Sequence, residues 1–386
     1  MRTPTHCFGI LAASLFSLPL LAQTNPPPFD PHEMVTHEPR TLTKPADRSA
    51  AVDLLEHARR LYDLRDTKTP YSLRVTFETT GAAQSEGVGT MEEISDGGSH
   101  WRWSTELQDS RVVRIGSEGK VYGTSPAEPV PLRVQMLRAA LHWPIIRFPG
   151  SSAMREAQVS RDGKQMTCLL LSGSIPPNPA PRSWVENEYC IDPATGLLQM
   201  WSDAPGIFAV YDYEGSTEFH GHILPQQLFI YEEGRLAVQA RVESLTDVQE
   251  LNAEVFKPTP EMVEAGGSFM LATPNRFPMR VDPTDGPTSP LFQPVIVHAI
   301  LDAQEGRVLD AEPLQTGDRE LSRAAMDLVR STTFPPSGFQ QEVFINVQFH
   351  MPAQVMGGPP IFHTPVAWII WEHRERVHPV KGKPAH

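Results

Sequence analysis

Apolar residues along the chain follow two periods. Between residues 49 and 64, Leu54, Ala58 and Leu61 form one stripe at helical spacing, with Val52, Leu55 and Tyr62 beside it and Asp53, Glu56, Arg60 and Asp63 interleaved. That pattern predicts one amphipathic helix, ended before Pro70. From Tyr71 to about Phe256 the period drops to two. Leu73, Val75 and Phe77 alternate with Arg74, Thr76 and Glu78, and turn glycines recur at Gly81, Gly97, Gly98, Gly116, Gly119, Gly163 and Gly196. Apolar runs at 111–115, 166–171, 228–231 and 237–242 continue the series. Short strands with frequent turns predict a large, mostly antiparallel sheet. Residues 132–143 interrupt it with a second helix, whose stripe is Leu132, Met136, Leu137, Ala140 and Leu141. A sheet with helices laid on it is an α+β arrangement.

Residues 23–48 and 261–290 show neither period and are rich in proline, so they read as an arm and a linker on either side of a 49–260 domain. A compact unit follows at 291–351. It has a strand at 294–301, a turn at Gln304-Glu305-Gly306 and a second strand at 308–314. Asp318 can cap a helix over 319–330, where Leu321, Ala324, Ala325 and Leu328 fall on one face. Pro335 and Pro336 stop it, and a third strand runs from 342 to 351. There Val343, Ile345, Val347 and Phe349 share a face that should pack on Leu321, Ala325 and Leu328, because a one-residue slip would bury Asn346 and Gln348. The order ββαβ leaves at least one strand edge open. The apolar patch at 366–371, within the tail 352–386, has the residues to pair with that edge and close it.

Composition narrows the class. Of 386 residues, 40% are hydrophobic and 20% charged, which suits a globular core and excludes wholesale disorder. Thirty-eight prolines disfavour long helices. The net charge of −13 argues against a nucleic-acid partner, which calls for a basic surface. At the N-terminus, Arg2, an uncharged apolar run over 8–21 and the small Ala22 form the three parts of a secretory signal peptide over 1–22. The run falls short of the ~20 residues of a spanning helix, though a retained anchor is the competing reading. Export would place the chain in the periplasm, and cleavage after Ala22 would leave Cys168 and Cys190 in an oxidising compartment. They sit on neighbouring strand-like runs and are a disulfide candidate; two unpaired thiols are the alternative.

Catalytic and metal signals are weak. There is no G-x-S-x-G, H-E-x-x-H or C-x-x-C, and Gly116-Ser117-Glu118-Gly119-Lys120 is too short for a phosphate loop and reads as a hairpin turn. His220 and His222 have the spacing of a strand-borne zinc pair but no third ligand beside them in sequence, so they read as surface histidines and no metal is expected. No cofactor is implied. Trp101 and Trp103 flank Arg102 on a strand, so both rings face one way. Core packing explains them; the functional reading is the wall of an apolar cavity closed by Leu137 and Leu141 of the second helix.

Two resemblances add to this. Asp302 to Val308 (DAQEGRV), the helix at 321–329 and Thr333-Phe334-Pro335-Pro336 make the 291–351 unit similar to the TonB C-terminal domain family. The family's tyrosine-proline element before the first strand is missing. The family docks a receptor peptide by strand addition, which the resemblance places on Val343, Phe344, Ile345, Asn346, Val347, Gln348 and Phe349. The leading helix, Gly87-x-Gly89, Trp101-x-Trp103, Leu224-Pro225-Gln226 and Phe256-x-Pro258 resemble LolA, LolB and RseB-type periplasmic domains, in which an antiparallel half-barrel wraps helices and holds acyl chains. Together they imply an exported, non-catalytic binding protein of the cell envelope that docks an outer-membrane receptor or envelope-protein peptide. A periplasmic lipid or lipoprotein carrier with an accessory C-terminal unit is the alternative, and an enzyme the third reading.

Overall fold

The computed structural model describes residues 39–377, except 81–85, 109, 124–129, 143, 146–152, 162, 173–185, 205–206, 217, 233, 267–268, 277–278, 281–294, 303, 315–318, 335, 337–340, 351–361, 364–365 and 374–375. The expected signal peptide and most of the arm lie outside the described residues.

Strand β1 (Arg40–Thr41) leads into helix α1 (Pro45–Tyr62). The helix starts earlier than the periodicity suggests, because Pro45 occupies its first turn, where the missing N–H costs nothing. Its buried stripe is Ala51, Leu55, Ala58 and Tyr62. A first meander follows: β2 (Tyr71–Thr79), β3 (Gly87–Ser95), β4 (Trp101–Leu107), β5 (Ser110–Ser117) and β6 (Lys120–Gly123). Helix α2 (Leu132–His142) separates it from a second meander of β7 (Ala153–Arg161), β8 (Lys164–Ser172), β9 (Asn187–Ile191), β10 (Leu198–Ala204) and β11 (Ile207–Asp212). The small pair β12 (Glu218–Phe219) and β13 (His222–Ile223) precedes β14 (Gln227–Glu232) and the long β15 (Arg235–Asp247).

Among the described residues fifteen strands form one curved, open antiparallel sheet, ordered β1-β7-β8-β9-β10-β11-β14-β15-β2-β3-β4-β5-β6 and then two later strands, β16 (Val263–Gly266) and β24 (Arg376–Val377). The last long strand thus pairs with the first: β15 runs beside β2 from Val238–Thr79 to Asp247–Tyr71 and joins the two meanders. The halves differ in burial. In β2 the alternation is strict, with Leu73, Val75 and Phe77 inside and Arg74 and Glu78 exposed. In β8, β11 and β14 both faces are buried: Leu169, Ala209 and Leu228 join the core shared with both helices, while Cys168, Phe208 and Phe229 form a second cluster on the opposite face. Strands buried on both faces read as continuous apolar runs, which explains the sequence signal there.

The C-terminal unit is a five-stranded antiparallel sheet, ordered β17 (Phe269–Arg276), β23 (Val366–His373), β21 (Gln341–His350), β19 (Val295–Leu301) and β20 (Val308–Leu314), with α3 (Arg319–Ser331) laid on it. The pair β18 (Met279–Arg280) and β22 (Phe362–His363) stands beside it. The order ββαβ appears as expected in β19, β20, α3 and β21. Its core gathers Val343, Ile345 and Val347 against Ala325 and Leu328; the side chains of Leu321 and Phe349 lie outside the description. The Asp302 turn is closed by its carboxylate, which accepts the Gln304 and Glu305 amides. Gly306 there has φ +65°, and a Cβ would come within 1.9 Å of the Phe334 carbonyl oxygen, so glycine is required.

Two expectations are corrected. The 261–290 stretch is not only a linker, since β16 extends the large sheet and β17 pairs with β23 along its whole length. The strand Val343, Phe344, Ile345, Asn346, Val347, Gln348 and Phe349 presents no continuous free edge, since Ile345, Asn346 and Val347 are paired on both sides. It pairs with β19 on one side (Ile345 opposite Val297) and with β23 on the other (Ile345 opposite Trp371). The apolar tail patch covers this edge from Ile345 to His350, which leaves strand addition there no continuous ladder to join.

Candidate functional site

The inner face of the first meander is ordered in rows by strand register. One row runs Leu73, Glu93, Trp103, Arg114 and Gly123; the next runs Tyr71, Ser95, Trp101 and Gly116. Trp101 lies against Gly116, where an added Cβ would fall 2.1 Å from the indole. That glycine is a seat for a ring, not a hinge. Trp103 is buried and Trp101 half-buried.

Helix α2 crosses this face and puts Arg138 and His142 on the same side, one turn apart. His142 Nε2 lies 3.1 Å from Glu93 Oε2, and Arg138 Nη2 lies 3.4 Å from the same oxygen. The Tyr71 hydroxyl donates to Glu93 Oε1 at 2.8 Å. The Arg138 guanidinium lies 4.9 Å from the ring centres of both Trp101 and Trp103, a cation–π contact with each. Burial alone would raise the Glu93 carboxyl; His142, Arg138 and the Tyr71 hydroxyl reverse this and hold it at about 2. Burial pushes the Tyr71 hydroxyl up, and the Glu93 charge adds to the rise.

Other polar contacts fix the rest of the helix. The hydroxyls of Tyr62 and Tyr211 donate to the Ala140 carbonyl at 2.8 and 3.1 Å, satisfying an oxygen the helix end leaves over. Near its start, Arg133 pairs with Glu232 at 2.9 Å. Between these anchors Val134, Leu137, Ala140 and Leu141 are buried in one contiguous cluster with Leu73, Val75, Met91, Trp103 and Val112.

Of the four residues read as a cavity wall, Trp101 and Trp103 both lie beside Arg138, while Trp103, Leu137 and Leu141 belong to the large core cluster, against which Trp101 packs. Glu93, Tyr71, Arg138 and His142 were not singled out by the sequence pattern. A signal existed: continuing the alternation of β3 from Met91 puts Glu93 inside, a charge at a core position. Cys168 and Cys190 are direct partners in the β8–β9 ladder and form a disulfide, with Cα atoms 3.9 Å apart. The histidine pair departs from expectation. His220 occupies a left-handed turn (φ +50°) between β12 and β13 and lies 2.7 Å from exposed Asp247, whereas His222 is buried. They share no strand face.

No family model matches the chain, over the TonB-like stretch or elsewhere, and no curated protein matches it. Solved structures similar to it include a LolA superfamily protein from Nitrosomonas europaea (12% identity, 53% of this chain and 96% of that one, TM-score 0.37). A DUF1329 family protein from Desulfovibrio piger is similar over 54% of this chain and 96% of that one, at 11% identity and TM-score 0.32. MucB is similar over 85% of this chain and 93% of that one, at 13% identity and TM-score 0.26; it has also been solved in complex with MucA(peri). What the chain's own topology defines is a mostly-β molecule with a large open antiparallel sheet wrapping two helices and a smaller α+β unit. Among the described residues no helix is long and apolar enough to cross a membrane.

Proposed function

We propose that this chain is a non-catalytic carrier or binding protein of the periplasm, and that the inner face of its half-barrel receives an acyl-type apolar ligand beneath α2. The observation that carries the reading is the way α2 is held. The apolar part of the inner face is covered by α1 and α2, and α2 is fixed by a small number of polar contacts at Glu93, Glu232 and Ala140. An apolar surface of that kind needs a cover in water, and an acyl chain is the chemical equivalent of the leucines that now supply it. Trp101 and Trp103 would border the ligand, with Leu137 and Leu141 giving way to it. The titrating groups of this one cluster are poorly suited to proton transfer. A carboxylate held at about 2 is a poor general base, and a tyrosine pushed above its ordinary value is a poor acid at neutral pH.

The test is native mass spectrometry of protein purified from an envelope fraction, with tryptophan fluorescence followed during titration with a C16 fatty acid. A bound lipid mass, with an emission change that the double variant Trp101→Phe/Trp103→Phe lacks, is expected. Protein free of lipid, whose emission ignores the fatty acid, would overturn the reading.

A further inference from the structure

The C-terminal unit rests on the half-barrel through the face of its sheet opposite α3. Along β19 the odd positions Val295, Val297, Ala299 and Leu301 face the α3 core. The even positions turn the other way: Ile296 is buried in the core of the large sheet, and Phe344 of β21 packs against that core. Between them sits His298, in register with Glu312 on one side and Phe344 on the other. Its Nδ1 lies 3.8 Å from Glu232 Oε2 and 3.6 Å from Glu312 Oε1. Glu312 in turn pairs with Arg235 of β15 at 3.2 Å.

Glu232 therefore belongs to two contacts at once. Its carboxylate accepts Arg133 Nε at 3.3 Å and Nη2 at 2.9 Å, and Arg133 also donates Nη1–H to the Thr80 carbonyl, so this pair ties the first turn of α2 to β14 and to the end of β2. The same carboxylate faces His298 of the C-terminal unit. Arg133, Glu232 and His298 are all at least 95% buried, at 3%, 2% and 5% exposure. Burial decides the strength of the pair. The attraction between two charges a few ångströms apart falls severalfold as the surroundings change from protein interior to water.

We propose that Glu232 couples docking of the C-terminal unit to seating of α2 on the half-barrel. With the unit docked, Ile296, His298 and Phe344 exclude water from the Arg133–Glu232 pair and α2 is held at both ends, by Glu232 at its start and Glu93 at its finish. With the unit displaced, the pair is hydrated and the start of α2 is freed while the Glu93 end stays anchored. The coupling is reciprocal, as any linkage between two equilibria must be: loosening α2 weakens docking by the same factor. The C-terminal unit thereby controls access to the surface proposed above to hold the ligand. In that respect it rests on that reading, but its test uses the ligand-free full-length chain, so the two fail separately.

Amide hydrogen exchange reads it directly. Phe344→Asp places a charge in the docking face of the C-terminal unit, on β21. It is expected to raise exchange at the Val134–Leu137 amides at least tenfold, with those of β3 and β4 unchanged. The isosteric Glu232→Gln should loosen both α2 and the β19–β20 face, and Arg133→Gln should raise exchange at β19. Should Phe344→Asp fail to fold, His298→Gln, which keeps the shape, carries the same comparison with a smaller rise at the start of α2. Displacement of the C-terminal unit with α2 exchange unchanged would overturn the coupling. An equal rise across β3 and β4 would also overturn it, since the effect would then be global.

Discussion

Glu93 illustrates what a single buried charge does in this molecule. Left alone under α2 it would protonate or destabilise the fold; with Tyr71, Arg138 and His142 around it, it stays ionised far below its ordinary range. Its folded value is depressed, so the stability it contributes is present above its unfolded value of 4.5 and is lost as the pH falls through about 2. A shift of this size corresponds to on the order of 3 kcal/mol. Acid unfolding followed by circular dichroism should therefore steepen between those two values, and Glu93→Gln should flatten that part of the curve. At neutral pH the same variant should lose roughly 3 kcal/mol, because half-buried Arg138 and buried His142 are left with one partner fewer. A variant with wild-type acid sensitivity would show that Glu93 is not the group responsible.

At the scale of elements, α2 and the β8–β9 ladder are the two parts whose removal should be felt most. Leu137 is entirely buried, and Leu137→Ala should cost about 2–5 kcal/mol in denaturant unfolding, with the higher figure if the surrounding strands cannot close on the gap. A loss below 1 kcal/mol would mean that α2 contributes little to the resting fold. The Cys168–Cys190 bridge closes a loop whose ends are 22 residues apart, worth about 3 kcal/mol in the chain-entropy model. Thiol labelling of unreduced, exported protein should find no free cysteine, and reduction should lower the unfolding midpoint. Two reactive thiols in the unreduced protein would end that assignment. Much at this scale was legible in the sequence. The period of two in β2, the Leu137–Leu141 stripe of α2 and the helical spacing of Ala325 and Leu328 in α3 each place apolar atoms where a single element needs them. Helix ends and the residues that pin them were less so, because Glu93 and Arg138 are brought together across 45 residues by strand register and helix crossing.

For the whole molecule, the tail decides what the C-terminal sheet can do. β23 lies between β17 and β21, so its residues satisfy two ladders at once. A chain ended at residue 351 should expose the backbone of β21, raise amide exchange across Ile345–Val347 and become prone to edge-to-edge association, readable by light scattering. Unchanged protection at those amides would mean that the tail does not close the edge in solution. In that shortened chain the whole of this edge would be open to an extended peptide, the docking that the TonB resemblance predicted for the intact one.

The sequence by itself determined the local periods of the main elements: the alternation of β2, the stripes of α2 and α3, and which face of each is apolar. Those are set by steric and hydration preferences that act within a few residues. It also made the cysteine pairing readable, since two neighbouring antiparallel strands leave few other partners. Tertiary structure alone decided that β15 closes on β2, that 269–276 leaves the linker to pair with 366–373, and that Ile296 and Phe344 face another unit instead of water. It also decided that one carboxylate, Glu232, faces both α2 and β19. Each of these depends on contacts between residues far apart in the chain. A single strand carries no record of which edge it will meet, because backbone hydrogen bonds are the same for every partner and only the packed whole selects among them.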